Sequence, residues 1–139
     1  MNRGEKIILL DTSAYSALFR GNDLVKEFLQ EAFEVALNSI ILGELLSGFS
    51  GGNFEEKNRQ QLKDFMQTSR VTVYPMDMET SERYSSIWYY LRSQGTPIPT
   101  NDLWIAASAM QHGMTVLTTD RHFRKTPQIL AITVDSPTT

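Results

Sequence analysis

Lys6-Ile7-Ile8-Leu9-Leu10-Asp11 is an uninterrupted apolar run that stops on an acid. A strand with one wet face alternates polar and apolar side chains, whereas a run that is apolar at every position suits a strand covered on both faces, as in parallel sheets. Helical spacing follows directly, over 13 to 19 and then over 23 to 33, where Leu24, Phe28 and Leu29 share one face. Val35 to Leu37 reads as a second strand and leads into a helix from Ser39 to Phe49. The glycine-rich Ser47-Gly48-Phe49-Ser50-Gly51-Gly52 makes a local turn before a polar helix, Phe54 to Met66. Val71 to Tyr74 is a strand that Pro75 stops, and residues 78 to 93 form a long helix with Tyr84, Ile87, Trp88 and Leu91 on one stripe. Thr96-Pro97-Ile98-Pro99 breaks the chain. Asn101 to His112 is then a helix capped by Gly113, Thr115 to Thr118 a strand, and Ile132 to Val134 a weaker last strand. Strands alternating with helices, without hairpin signals between neighbouring strands, mean βαβ units: an α/β fold with a parallel sheet and helices on both sides.

The chain has 139 residues, the size of a single domain spanning 1–139. With 41% hydrophobic and 21% charged residues it has the composition of a packed globule. Its longest apolar runs are far too short to cross a bilayer and its first residues do not lead into a secretory segment, so a soluble cytoplasmic protein with no membrane partner is expected. It contains no Cys and two His, which excludes disulfide scaffolds, thiol nucleophiles and Cys-based zinc sites. Two His are too few for most histidine-rich metal sites, so a metal in this chain must be held by oxygen ligands.

Open parallel sheets bind ligands beyond the carboxyl ends of their strands, where the winding reverses. Asp11 ends the first predicted strand and Asp120 the fourth. Glu44 lies at the edge of the apolar face of Ile40-Ile41-Leu42-Gly43-Glu44-Leu45-Leu46, and Asp102 sits in the first turn of a helix whose Ile105, Ala106 and Ala109 suit close packing on the sheet. Taken singly, each acid has an ordinary explanation as a turn, a cap or a solvated charge. Taken together, all four fall where a parallel sheet builds a site, in segments otherwise poor in charge.

Asp11-Thr12-Ser13, the lone Glu44 in Leu42-Gly43-Glu44-Leu45, the span Leu91, Gly95, Ile98 and Asp102-Leu103-Trp104-Ile105-Ala106-Ala107, and Leu117-Thr118-Thr119-Asp120-Arg121-His122-Phe123 together resemble the PIN-domain ribonucleases. The likeness runs over nearly the whole chain and is nearest to the VapC toxins of bacterial type II toxin–antitoxin pairs. The resemblance implies a three-layer α/β/α fold with about five parallel strands in the order 3-2-1-4-5. It also implies one or two Mg²⁺ or Mn²⁺ ions on Asp11, Glu44, Asp102 and Asp120, cleavage of RNA such as a tRNA loop, and a cognate antitoxin. That antitoxin is expected to clamp the helical pair 39 to 66, whose tip carries Phe49 and Phe54. Some relatives carry another acid just after the last of the four, where this chain has His122 and Phe123.

Four carboxylates within about 5 Å would repel by about 3 kcal/mol per pair at an effective dielectric near 20, or on the order of 20 kcal/mol in all. Such a cluster requires cations. Metal-assisted hydrolysis attacks phosphorus with water and leaves the 2′-hydroxyl idle, so the products expected are a 5′-phosphate and a 3′-hydroxyl. A two-histidine acid–base mechanism needs His112 and His122 to converge, and His112 in Gln111-His112-Gly113 reads as part of a helix end. Thr12, Ser13 and Thr119 are candidates to orient ligands, with turn hydroxyls as the plain alternative.

Net charge is −3, and without the four site acids it is −3 + 4 = +1, so acidity is no bar to RNA. Arg121, Arg124 and Lys125 follow Asp120 and are candidates to hold phosphates, with Arg20 a further one. Trp88 belongs to the core stripe; Tyr89, Tyr90 and Trp104 are candidates to stack bases or to build an interface, with a homodimer contact preferred. Three rivals share parts of this pattern. A haloacid-dehalogenase-like phosphatase needs a second Asp two residues after Asp11, where Ser13 stands. A phosphoryl-accepting receiver domain needs an acid pair and a mid-chain Asp. A catalytically silent PIN fold differs only in activity.

Overall fold

A computed structural model describes residues 6–135. Five strands make one wholly parallel sheet: β1 (Ile7–Leu10), β2 (Glu34–Asn38), β3 (Val71–Tyr74), β4 (Thr115–Thr118) and β5 (Leu130–Thr133), in the order β3-β2-β1-β4-β5. β1 is central, with Ile8 opposite Val35 of β2 on one side and Thr115 of β4 on the other. Ile8, Leu9 and Leu10 are all buried, which requires cover on both faces of the sheet and explains why β1 is apolar at successive positions. The fold is the three-layer α/β/α arrangement expected. The order also excludes the receiver domain, because flavodoxin-like sheets run 2-1-3-4-5.

The helices are α1 (Thr12–Phe19), α2 (Asp23–Glu31), α3 (Ser39–Phe49), α4 (Glu55–Met66), α5 (Met78–Gln94) and α6 (Thr100–His112), with a 3₁₀ turn at Arg121–Lys125. None of them is long and apolar enough to cross a membrane. Local chemistry sets their ends. Asn38, the last residue of β2, is fully buried and its Oδ1 accepts from Ile41 N–H, so the chain turns from strand to helix without a spare residue. Gly113 ends α6 at φ +66°, a left-handed conformation that favours glycine and sends the chain directly into β4.

Three expectations shift. α2 ends at Glu31 and buries Val25 and Leu29, leaving Leu24 exposed. β5 begins at Leu130, two residues before the apolar pair that marks it in the sequence, because the edge strand pairs along all of β4 from Thr115 to Thr118. Trp88 is 43% exposed and not in the core. α5 packs chiefly along α6 and buries Thr80, Ile87 and Leu91, so the stripe's outer member is left at the rim, with the Arg92 guanidinium 5.1 Å above its ring. Tyr90 packs on the core and Trp104 stacks on Tyr84 at 4.1 Å, so among the aromatic candidates Tyr89 alone stands well out in solvent.

Candidate active site

Asp11 follows β1 directly and is the N-cap of α1, 4% exposed. Its Oδ1 accepts from Ala14 N–H at 2.9 Å and from Ser13 Oγ at 2.8 Å, and its Oδ2 accepts from Thr118 Oγ1 at 2.5 Å. Burial pushes its pKa from 3.8 up to about 6; the three hydrogen bonds pull the other way and the charge of Asp102 adds to the rise. The acid therefore caps a helix, as an ordinary residue does, and is also held in one orientation from three sides.

β4 supplies the second half. Thr118 Oγ1, besides bonding Asp11, accepts from Asp120 N–H at 2.9 Å, and Ser13 Oγ accepts from Thr119 N–H at 3.0 Å. The ends of β1 and β4 are thus laced together by hydroxyls, which fixes Asp120 beside Asp11's strand. Asp120 caps the 3₁₀ turn, its Oδ1 accepting from His122 N–H at 2.9 Å. Phe123, 1% exposed, anchors that turn in the core.

Asp102 approaches from α6. It makes no cap: the N-cap is Pro99, without a side-chain bond to the helix. Its side chain, 14% exposed, points to the β4 end, where Oδ2 lies 2.7 Å from His122 Nδ1; the same nitrogen is 2.9 Å from Asp120 Oδ2. One ligand atom from each of Asp102, Asp120 and His122 lies within 4.8 Å of the others. Burial raises the pKa of Asp102, as do the charges of Asp120 and Glu44, while His122 lowers it.

Glu44 comes from α3, half-buried, with Oε1 accepting from Thr12 Oγ1 at 2.6 Å and Oε2 from Asn101 Nδ2 at 3.2 Å. Thr12 opens α1 and Asn101 precedes Asp102, so both neighbours of the site steer this carboxylate. Asp102 and Asp120 are brought together directly; Asp11 and Glu44 flank them, the charge of Asp102 raising the pKa of Asp11 and that of Glu44 raising the pKa of Asp102. Thr12 and Ser13 orient acids through their hydroxyls, whereas Thr119 contributes its backbone N–H. Three roles escape a reading of the sequence: Thr118 and Asn101 as partners of site acids, and His122 as a bridge between Asp102 and Asp120. A hydroxyl one register position before the loop was the available signal for Thr118, since inward residues at strand ends face the switch point. His112 packs on Tyr74, at the far end of α6 and about 15 Å along the helix from Asp102, so the two histidines do not form an acid–base pair.

A family model of the PIN domain matches residues 8–129. The chain belongs to the PIN domain family. This PIN domain is 32% identical over 132 residues to ribonuclease VapC1 of Rickettsia felis, with 93% of this chain and 97% of that relative covered. Its fold matches the structure of VapBC-1 from nontypeable Haemophilus influenzae with a TM-score of 0.80 at 22% identity, over 91% of this chain and 97% of that one. It also matches DNA-bound VapBC from Salmonella typhimurium, with a TM-score of 0.78 at 25% identity, over 92% and 98%.

The donor chemistry of this PIN domain suits a divalent cation. Two carboxylates within a few ångströms of each other, half-screened from water, with Asp102 already driven toward its neutral form, are the surroundings a hard cation relieves. The basic side chains Arg121, Arg124 and Lys125 are exposed on the 3₁₀ turn directly after Asp120, and Arg20 is exposed at the end of α1.

Proposed function

We propose that this PIN domain is an endoribonuclease and the toxin of a toxin–antitoxin pair, working with one or two Mg²⁺ or Mn²⁺ ions on Asp11, Glu44, Asp102 and Asp120. The observation that carries this reading is the meeting of Asp102 and Asp120 at the carboxyl edge of β4, with Asp11 laced to the same edge through Thr118. Its sequence likeness to a protein named ribonuclease VapC1 supports the choice of reaction. When bound, the metal supplies Lewis acidity and makes water nucleophilic at neutral pH.

The chain's own residues supply the rest. Ser13, Thr118 and the backbone of Ala14 hold Asp11 in one rotamer, and Thr12 and Asn101 hold Glu44, so the acids are set before substrate arrives. Arg121, Arg124 and Lys125 stand where the phosphates beside the scissile bond run, and Arg20 extends the basic track. The substrate is RNA with an exposed loop, such as that of a tRNA, and the products carry a 5′-phosphate and a 3′-hydroxyl.

The likeness to VapBC assemblies supports an antitoxin partner clamped over the α3–α4 pair, where Phe54 is exposed beside the turn at Gly51. The exposed Tyr89 and Trp88 of α5 are the surface offered for a homodimer. The site of action is the cytoplasm, where the RNA is.

Expression in a bacterial host tests the reading. Growth should stop with the wild-type chain and continue with Asp11→Asn or Asp102→Asn at equal protein levels. Equal arrest by both variants would overturn the assignment.

A further inference from the structure

His122 has no counterpart in a four-carboxylate site, yet it bridges two of the acids of this one, Asp102 and Asp120. Its backbone N–H is tied to Asp120 Oδ1, and Phe123 pins the turn from the core side, so the imidazole is set by the fold. Its Nδ1 lies 2.7 Å from Asp102 Oδ2 and 2.9 Å from Asp120 Oδ2. Adjacent ligands of an octahedral ion at about 2.1 Å stand √2 times that distance apart, about 3 Å. In the chain as it stands Nδ1–H donates to these carboxylate oxygens, and the two separations lie close to that ligand-to-ligand spacing, so an ion that displaced the proton would find the three donors already near their places. All three donor atoms come from packed elements, and all fall within 4.8 Å of one another.

We propose that His122 Nδ1 is a metal ligand beside Asp102 and Asp120, and that this nitrogen turns the site's preference from Mg²⁺ toward Mn²⁺. The inference rests on the metal-dependent reading above and goes beyond it by assigning a ligand and a selectivity. Mg²⁺ takes oxygen donors almost exclusively and gives up its waters reluctantly, whereas an imidazole suits first-row transition ions. Mn²⁺ accepts both donor types. A binding nitrogen must carry a lone pair, so in the metal-bound chain the ring proton resides on Nε2; the side chain as a whole is 42% exposed.

The direct test is electron spin-echo envelope modulation of Mn²⁺ bound to the full chain, prepared with natural-abundance and with ¹⁵N-labelled histidine. A directly bound nitrogen coupling that changes on labelling and disappears in His122→Gln is expected. Mn²⁺ bound without such a coupling would overturn the inference while leaving the metal site standing; a chain that binds no Mn²⁺ would overturn both. The wild-type spectrum decides without any variant, so a folding defect in His122→Gln cannot mask the answer. Calorimetric titration gives the selectivity. His122→Gln should lower Mn²⁺ affinity by about tenfold or more and Mg²⁺ affinity by less, so that their ratio falls. A gain for both ions would show that the ring merely fills the place of a cation, and equal losses that it does not select between them; either result would contradict the proposal.

Discussion

Thr118 Oγ1 donates to Asp11 Oδ2 at 2.5 Å, joining residues 107 positions apart in the chain and tying the ends of β1 and β4. The same hydroxyl accepts from Asp120 N–H, so one side chain sets two of the site acids. Thr118→Val keeps the shape and removes both bonds inside a buried region. The variant should lose about 1–3 kcal/mol of stability in urea unfolding, and its cleavage rate should fall further than that loss of folded protein explains. Unchanged stability would mean that water replaces the hydroxyl there.

Asp11 gives the metal-free protein a distinctive pH dependence. Its carboxyl has a pKa of about 6 when folded against 3.8 in the unfolded chain, so the folded state holds the proton more tightly. Between these values the unfolded state binds fewer protons, and stability falls as pH rises, by about 3 kcal/mol in total from this residue. Asp102, also raised, adds to the slope in the same direction. Unfolding in EDTA from pH 4 to 7 should show the decline, and Asp11→Asn should flatten most of it. A wild-type protein that gains stability over this range from these two groups would contradict the buried, crowded site.

Asp102→Asn removes a charge that burial and two neighbouring acids disfavour, and no cap is lost. In EDTA at pH 7.5 its melting temperature should exceed that of wild type by about 2–5 °C. Saturating Mg²⁺ or Mn²⁺ should raise the wild-type value more than the variant's, since the ion binds the folded state of the wild type more tightly. A variant that melts lower and gains as much from metal would remove Asp102 from the cation site.

How much of this was legible in the sequence differs between scaffold and site. β1 could be read because a strand buried on both faces is apolar at every position, and the end of α6 because Gly113 carries its own stop chemistry. Trp88 stands outside the core although it shares the stripe, because a helical stripe gives a face about 100° wide but not its centre, and α6 covers the Ile87 and Leu91 side. The contact of His122 with Asp102 is not legible in the sequence, because spacing along a chain says nothing of a ring that folds back across a 3₁₀ turn onto a helix 20 positions earlier. Thr118 is hidden for the same reason, its partner Asp11 lying just beyond the end of another strand.

Phe123 holds the turn that carries Asp120 and His122. Phe123→Ala should cost about 3–5 kcal/mol of stability, and the folded fraction should bind metal more weakly, because the turn loses its anchor. Phe123→Leu should retain most of both. Titration of folded protein below the melting point separates the two effects.

Removing Arg121, Arg124 and Lys125 together, each to Ala, should weaken RNA binding with little regard to sequence. The slope of log affinity against log salt should shrink by about 2 to 3, while metal affinity stays within about threefold. An unchanged slope would mean that this turn faces away from the nucleic acid.

The most direct measurement is cleavage of an end-labelled tRNA by the purified chain, in EDTA and after adding Mg²⁺ or Mn²⁺, with the chemistry of the new ends determined. Cleavage should stop in EDTA, return with either metal, fail in Asp11→Asn and Asp120→Asn, and leave a 5′-phosphate and a 3′-hydroxyl. Cutting that persists in EDTA, or ends bearing a 2′,3′-cyclic phosphate, would contradict metal-assisted hydrolysis at the four acids.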